Sequence, residues 1–218
     1  VHNTGNPALD RFKEIENMDK KKILKYFQFN HEEDMEKPLI LVIQHVISGE
    51  VKDGAKQIEN TLEAITSLEC NVIINYPNSD MGSREMVTVI ENYKRFSNVR
   101  ITRHIPNKIF VNLLKNLDLL VGNSSMALLE GSFLKVPAIN VGERNRDRIN
   151  GGNAVFVEPV IDNIRETATN ILFDKDFSNR LKSGSSPYGD GKSARFIARS
   201  IKALNKTRRE LIAKDITY

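Results

Sequence analysis

Ser124 and Ser125 follow Gly122 and Asn123 at the point where an apolar run, Leu119-Leu120-Val121, gives way to a helical pattern. A helix N-terminus carries backbone N–H groups without partners and a partial positive charge, so serines there can donate to a bound phosphate or simply cap the helix. Glu130 stands further along the same helical pattern, an acidic residue among Leu128, Leu129 and Phe133. A carboxylate in that place can accept both hydroxyls of a ribose, or it can be a solvated glutamate on a helix face. Arg144 opens the stretch Arg-Asn-Arg-Asp-Arg after the apolar run from Pro137 to Gly142. A guanidinium fork suits a diphosphate. The plainer reading is a mobile surface loop in which Arg144, Arg146 and Arg148 have no assigned task. His45 ends the run Leu39 to Gln44. Imidazole can donate to phosphate or act as an acid near neutral pH, and it can equally be structural. Asn78, in Tyr-Pro-Asn-Ser-Asp, is by type a turn residue.

What would hold these residues together is a sheet. Leu39–Val46, Val72–Ile74, Val99–Thr102, Leu119–Val121, Ala138–Val141 and Ala154–Val157 read as six short buried strands. Between them lie helical spacings: Ala55 to Leu68, a segment through Met86 and Ile90, Ile109 to Leu117 opened by Pro106, and Ile161 to Phe173. Further helices are expected near Phe177–Leu181 and from Lys192 to about Lys206, with Asp190 as the cap of the last. Strands alternating with helices imply an α/β fold, a Rossmann-like parallel sheet with helices on both faces. In such sheets ligands sit outside the carboxyl ends of the strands. His45, Asn78, Ile105, Ser124, Ser125 and Arg144 all follow strands and would share one rim. Anion donors, an arginine and an acidic residue on that rim suit a nucleoside diphosphate better than a lone phosphate.

Composition narrows the class. Of the 218 residues 40% are hydrophobic and 28% charged, as in soluble globular proteins. No apolar run approaches the roughly 18 residues of a membrane span, and the first residues are polar, unlike a signal peptide. The one cysteine, Cys70, has no partner for an internal disulfide, so a packed thiol in a cytoplasmic protein is expected. Histidines 2, 31, 45 and 104 are scattered, which argues against a zinc site. The net charge is +4, with Lys206, Arg208 and Arg209 close together near the end; a solvated basic helix, not a nucleic-acid surface, is expected there. Neither Gly-x-Gly-x-x-Gly nor a Walker-type Gly-Lys-Ser/Thr with its upstream glycine is present, so neither a nicotinamide cofactor nor a P-loop is expected.

Six segments in order carry a resemblance: Thr4 to Phe12 (TGNPALDRF), Leu41 to Val46 (LVIQHV), Tyr76 to Met86 (YPNSDMGSREM), His104 to Pro106, Val121 to Arg144, and Ser186 to Ile197 (SPYGDGKSARFI). Through them the chain resembles the C-terminal domain of the hydrolysing UDP-N-acetylglucosamine 2-epimerases. The resemblance implies the second half of a GT-B-type pair of Rossmann-like domains. The N-terminal domain would be absent, residues 1–218 would form the UDP-binding half, and 188–218 would be a terminal helical segment crossing back toward the missing domain. It implies His45 as a catalytic residue near the diphosphate and sugar. Asn78 would line the site, the backbone near Ile105 would receive the uracil, Ser124 and Ser125 would hold phosphate, Glu130 the ribose, and Arg144 would lie beside the nucleotide. UDP-N-acetylglucosamine or a 6-deoxy diacetamido analogue would be the substrate. No cofactor or metal is implied. A cytoplasmic homodimer serving sialic acid synthesis is the expected setting, with the fragment alone inactive. A donor domain of a GT-B glycosyltransferase and a non-catalytic nucleotide-sugar-binding module are the alternatives.

Overall fold

Five successive residues of the first strand, Leu39–Ile43, are all buried, which requires cover on both faces of the sheet they enter. The computed structural model describes residues 2–47, 49 and 51–204. It supplies that cover with a six-stranded sheet in which every pairing is parallel. The strands are β1 (Leu39–Ile43), β2 (Asn71–Asn75), β3 (Val99–Thr102), β4 (Leu119–Gly122), β5 (Ala138–Val141) and β6 (Ala154–Val157). Their spatial order is β3-β2-β1-β4-β5-β6. The order reverses between β1 and β4, the place where ligands enter doubly wound sheets.

Helices fill the crossovers: α1 (Arg11–Glu14), α2 (Lys20–Tyr26), α3 (Glu32–Glu36), α4 (Gly54–Thr66), α5 (Ser83–Glu91), α6 (Asn107–Lys115), α7 (Glu130–Leu134), α8 (Ile161–Phe173), α9 (Lys175–Lys182) and α10 (Ser193–Lys202). Strand residues alternate between faces. Ile40, Val42, Val72, Ile74, Leu119, Val121, Ile139 and Val141 pack on one face with Ile58, Leu62 and Ile65 of α4, Met86 and Ile90 of α5, and Ile164 and Ile171 of α8. Leu39, Leu41 and Ile73 point the other way and are equally buried, as are Ile23 and Leu24 of α2 and Val111 and Leu114 of α6, all outside that first cluster. The chain is thus the expected Rossmann-like α/β fold.

Contacts divide the chain into two units: residues 15–187, which hold the whole sheet, and residues 1–14 with 188–218. In the second unit the Asn6 amide donates to the Tyr188 carbonyl at 2.7 Å. There the expected cap is replaced. Asp190 pairs with Lys192 at 3.2 Å, while the Asp10 carboxylate accepts from the amides of Ser193 and Ala194 at 3.0 and 2.7 Å and closes the N-terminus of α10. Asp190 precedes Lys192, the residue at the capping position, and is held by the neighbouring ammonium instead. α10 ends at Lys202, and the basic cluster Lys206, Arg208 and Arg209 lies outside the described residues.

Candidate functional site

The carboxyl ends of β1 and β4 are joined by one side chain. The His45 amide donates to Asn123 Oδ1 at 2.7 Å, and Asn123 Nδ2 donates back to the His45 carbonyl at 2.8 Å. Asn123 is fully buried. Its own carbonyl accepts from Arg144 Nη1 at 3.2 Å and from Asn145 Nδ2 at 2.8 Å. Asn145 Nδ2 also donates to Asn140 Oδ1 at 2.9 Å, and Asn140 Nδ2 donates to the Gly142 carbonyl at 3.0 Å. The loop after β5 is therefore fixed to the end of β4 through buried asparagines. It is not the loose arginine loop that one reading of the sequence described. Arg146 faces elsewhere, paired with Glu143 at 2.8 Å and Glu158 at 3.1 Å.

His45 is half-buried and its Nδ1 accepts from the Asn78 amide at 3.2 Å. Burial, and next the Arg144 charge, hold its imidazole below the ordinary value, with Asp80 opposing them. A neutral ring whose Nδ1 accepts carries its proton on Nε2, which is left as a donor. Asn78 Nδ2 in turn donates to Asp80 Oδ2 at 2.6 Å. A cavity of about 230 Å³ opens beside this group, lined by Val46, Val51, Asp80 and Met81.

The serines sit where expected, but the helix does not. Ser124 caps a three-residue 3-10 turn, Ser125–Ala127, its hydroxyl accepting from the Met126 amide at 3.4 Å. Glu130 is the first residue of the separate α7, not a residue one or two turns into a continuous helix. The reason is Asn153. Its Nδ2 donates to the Ala127 carbonyl at 2.9 Å, the acceptor that an unbroken helix would offer to the Gly131 amide, and to the Val136 carbonyl at 2.9 Å. A Cβ on Gly131 would stand 3.0 Å from that nitrogen. The serines thus present a short 3-10 turn and not the N-terminus of a long helix.

The structure brings His45, Asn78, Arg144 and the turn entering Ser124–Ser125 into one hydrogen-bonded group. Ile105 lies after β3 on the same carboxyl edge, two strands away from β1 across β2, with its side chain buried. Glu130 lies partly buried at the start of α7, beyond the 3-10 turn that the serines open. Sequence alone does not single out Asn123, Asn140 and Asn145, although Asn123 stands inside the tetrapeptide Gly122 to Ser125. The available signal was position: an amide side chain immediately after an apolar strand at the reversal of strand order. Among the described residues there is no group of three or more His, Cys, Asp or Glu that could hold a metal ion. Nor is any described helix long and apolar enough to cross a membrane.

The chain has relatives in sequence and in fold. The sequence profile of one protein family, UDP-N-acetylglucosamine 2-epimerase, matches residues 1–202. The chain belongs to the UDP-N-acetylglucosamine 2-epimerase family. It is 28% identical over 195 residues to the UDP-N,N'-diacetylbacillosamine 2-epimerase (hydrolyzing) of Legionella pneumophila, covering 89% of this chain and 49% of that protein. With the GDP/UDP-N,N'-diacetylbacillosamine 2-epimerase (hydrolyzing) of Campylobacter jejuni it shares 26% over 161 residues, 72% of this chain and 41% of that protein. The fold is matched by the crystal structure of UDP-GlcNAc 2-epimerase from Neisseria meningitidis bound to UDP-GlcNAc, with a TM-score of 0.72, 17% identity, and 91% of this chain and 54% of that one covered. The chain spans about half the length of these epimerase-family relatives.

Proposed function

We propose that this chain is the UDP-binding half of a hydrolysing UDP-sugar 2-epimerase, acting on UDP-N-acetylglucosamine or a related acetamido sugar nucleotide. The observation that carries the reading is Arg144 held on the Asn123 carbonyl, one residue before the Ser124–Ser125 turn and within electrostatic reach of His45. That arrangement is suited to a diphosphate: a guanidinium, serine hydroxyls and amides, and the Nε2 proton of a neutral histidine converge on one end of the sheet.

In this reading the uracil lies against the backbone near Ile105, Glu130 accepts the ribose hydroxyls, and Asn78 flanks the sugar side. The other half of a GT-B-type protein carries the base. That base takes the proton from C2 of the sugar while the C1–O bond breaks and UDP leaves; water then adds across the unsaturated sugar, giving the 2-epimer. The demand on this half is to receive the charge that grows on the β-phosphate. Donors fixed in advance lower that barrier without reorganising, each contributing about 3 kcal/mol. His45 serves as such a donor and therefore touches the reacting nucleotide.

The test uses the full-length protein and calorimetry with UDP. Arg144→Ala and Ser124→Ala each weaken UDP binding, and incubation with UDP-N-acetylglucosamine alone releases UDP without an acceptor. Unchanged affinity in both variants would place the nucleotide elsewhere, and UDP release only with an acceptor would make the protein a glycosyltransferase.

A further inference from the structure

Building on the nucleotide-site reading, we infer that Asn123 is the positioning residue of this site, fixing His45 and Arg144 relative to the Ser124–Ser125 turn. Three strand ends meet in its hydrogen bonds. Its side chain takes both backbone groups of His45, which follows β1. Its carbonyl holds Arg144, which follows β5, while Asn145 braces the same carbonyl and reaches Asn140 within β5. Asn123 itself directly follows β4 and precedes the serines. Asn123 and Asn140 are fully buried and Asn145 is 1% exposed, so the asparagine side of these bonds is shielded from water, while Arg144 itself is exposed.

Asparagine is the side chain this place demands. The His45 amide needs an acceptor and its carbonyl a donor, and a carboxamide offers one of each in a single plane. Aspartate would set a carboxylate oxygen against the carbonyl; leucine would leave the two half-buried backbone groups of His45 without these partners. Each group held in this way points its functional end outward. The His45 backbone is clamped while its ring reaches the Asn78 amide. Arg144 is anchored through one guanidinium nitrogen, Nη1, so the rest of the fork stays available for an anion.

Two variants of the full-length protein separate the parts. Asn123→Ala removes the bonds to His45 and leaves its own carbonyl in place; Asn145→Ala removes the brace beside Arg144. NMR titration of the His45 ring without nucleotide, calorimetry with UDP, kinetics and thermal unfolding are the readouts. With Asn123→Ala the imidazole titrates closer to its ordinary value and kcat/KM falls by roughly 10- to 100-fold. With Asn145→Ala, UDP binds about tenfold more weakly, the scale set by buried groups that orient a site. Folded variants that keep the wild-type His45 titration and UDP affinity, losing thermal stability alone, overturn the inference: Asn123 is then only a strut. If Asn123→Ala does not fold, Asn145→Ala decides by UDP affinity. A shifted His45 titration with UDP affinity unchanged in Asn123→Ala, Asn145→Ala and Arg144→Ala upholds the clamp and rejects the nucleotide site instead.

Discussion

A Cβ at Gly122 would lie 2.0 Å from the carbonyl oxygen of Ile43. The end of β4 presses on the end of β1 that closely because Ile43 and Gly122 are register partners, and Gly122 turns the chain with φ +130°. Only glycine meets both conditions. The close approach also brings Asn123 within reach of His45, so the steric condition and the site share one origin.

Gly122→Ala is therefore expected to destabilise the protein by at least about 2 kcal/mol, from backbone strain together with the clash. Urea unfolding of the variant beside wild type measures it. A loss under roughly 1 kcal/mol, the size of an ordinary substitution, would mean that the strand ends separate easily and the approach is not obligatory.

The histidine makes stability depend on pH in a defined sense. Its imidazole is held below the ordinary value by burial and by Arg144, so the unfolded chain binds its proton more readily than the folded one. Stability therefore rises with pH across that interval. The contribution is complete above the unfolded value, about 6.5, and is lost as pH falls through the folded one. His45→Asn removes it. The stability of wild type relative to that variant should decline as pH drops below about 6.5. A difference that stays flat from pH 8 to pH 5 would show that the ring is not held neutral by its surroundings.

Which features the sequence disclosed follows from how local their causes are. β1, β2 and β4 are legible because each holds a continuous apolar run, and α8 because Ile164, Ala168 and Ile171 keep helical spacing. Strand ends alone then brought His45, Asn78, Ser124 and Arg144 to one edge. What stayed hidden depends on distant partners. Asn123 looks like a turn residue until His45, 78 positions away, supplies its bonds. The apolar run after Ser125 looks like one helix until Asn153 takes the Ala127 carbonyl, 26 positions away. Asp10 caps a helix 183 positions on, where nearby Asp190 was the obvious choice by sequence.

Cys70 illustrates a buried group with no chemical task. Burial pushes its thiol up to about 12, with Lys37 opposing weakly, and its Sγ lies 3.5 Å from the Leu68 carbonyl and 3.6 Å from that of Ile65. At pH 8 the thiolate fraction is about one in ten thousand, so iodoacetamide should leave the native protein unlabelled and modify Cys70 once urea unfolds it. Mass spectrometry reads the adduct. Rapid labelling without denaturant would contradict the packing of α4 against β2.

Under the proposed nucleotide reading, a substitution at Asn153 separates ribose from phosphate recognition. Asn153→Ala strips the donor from two buried carbonyls, those of Ala127 and Val136, and is expected to cost about 2–3 kcal/mol. The same change frees the Ala127 carbonyl for the Gly131 amide, which draws the 3-10 turn and α7 toward one continuous helix and moves Glu130 around its axis. Ser124 and Ser125, ahead of the break, keep their place beside the Arg144 anchor. If Glu130 receives the ribose, calorimetry on the full-length variant gives a weaker affinity for UDP and an unchanged affinity for inorganic pyrophosphate. Equal losses for both would assign Asn153 to the phosphate turn, and no loss for either would detach Glu130 from the nucleotide altogether.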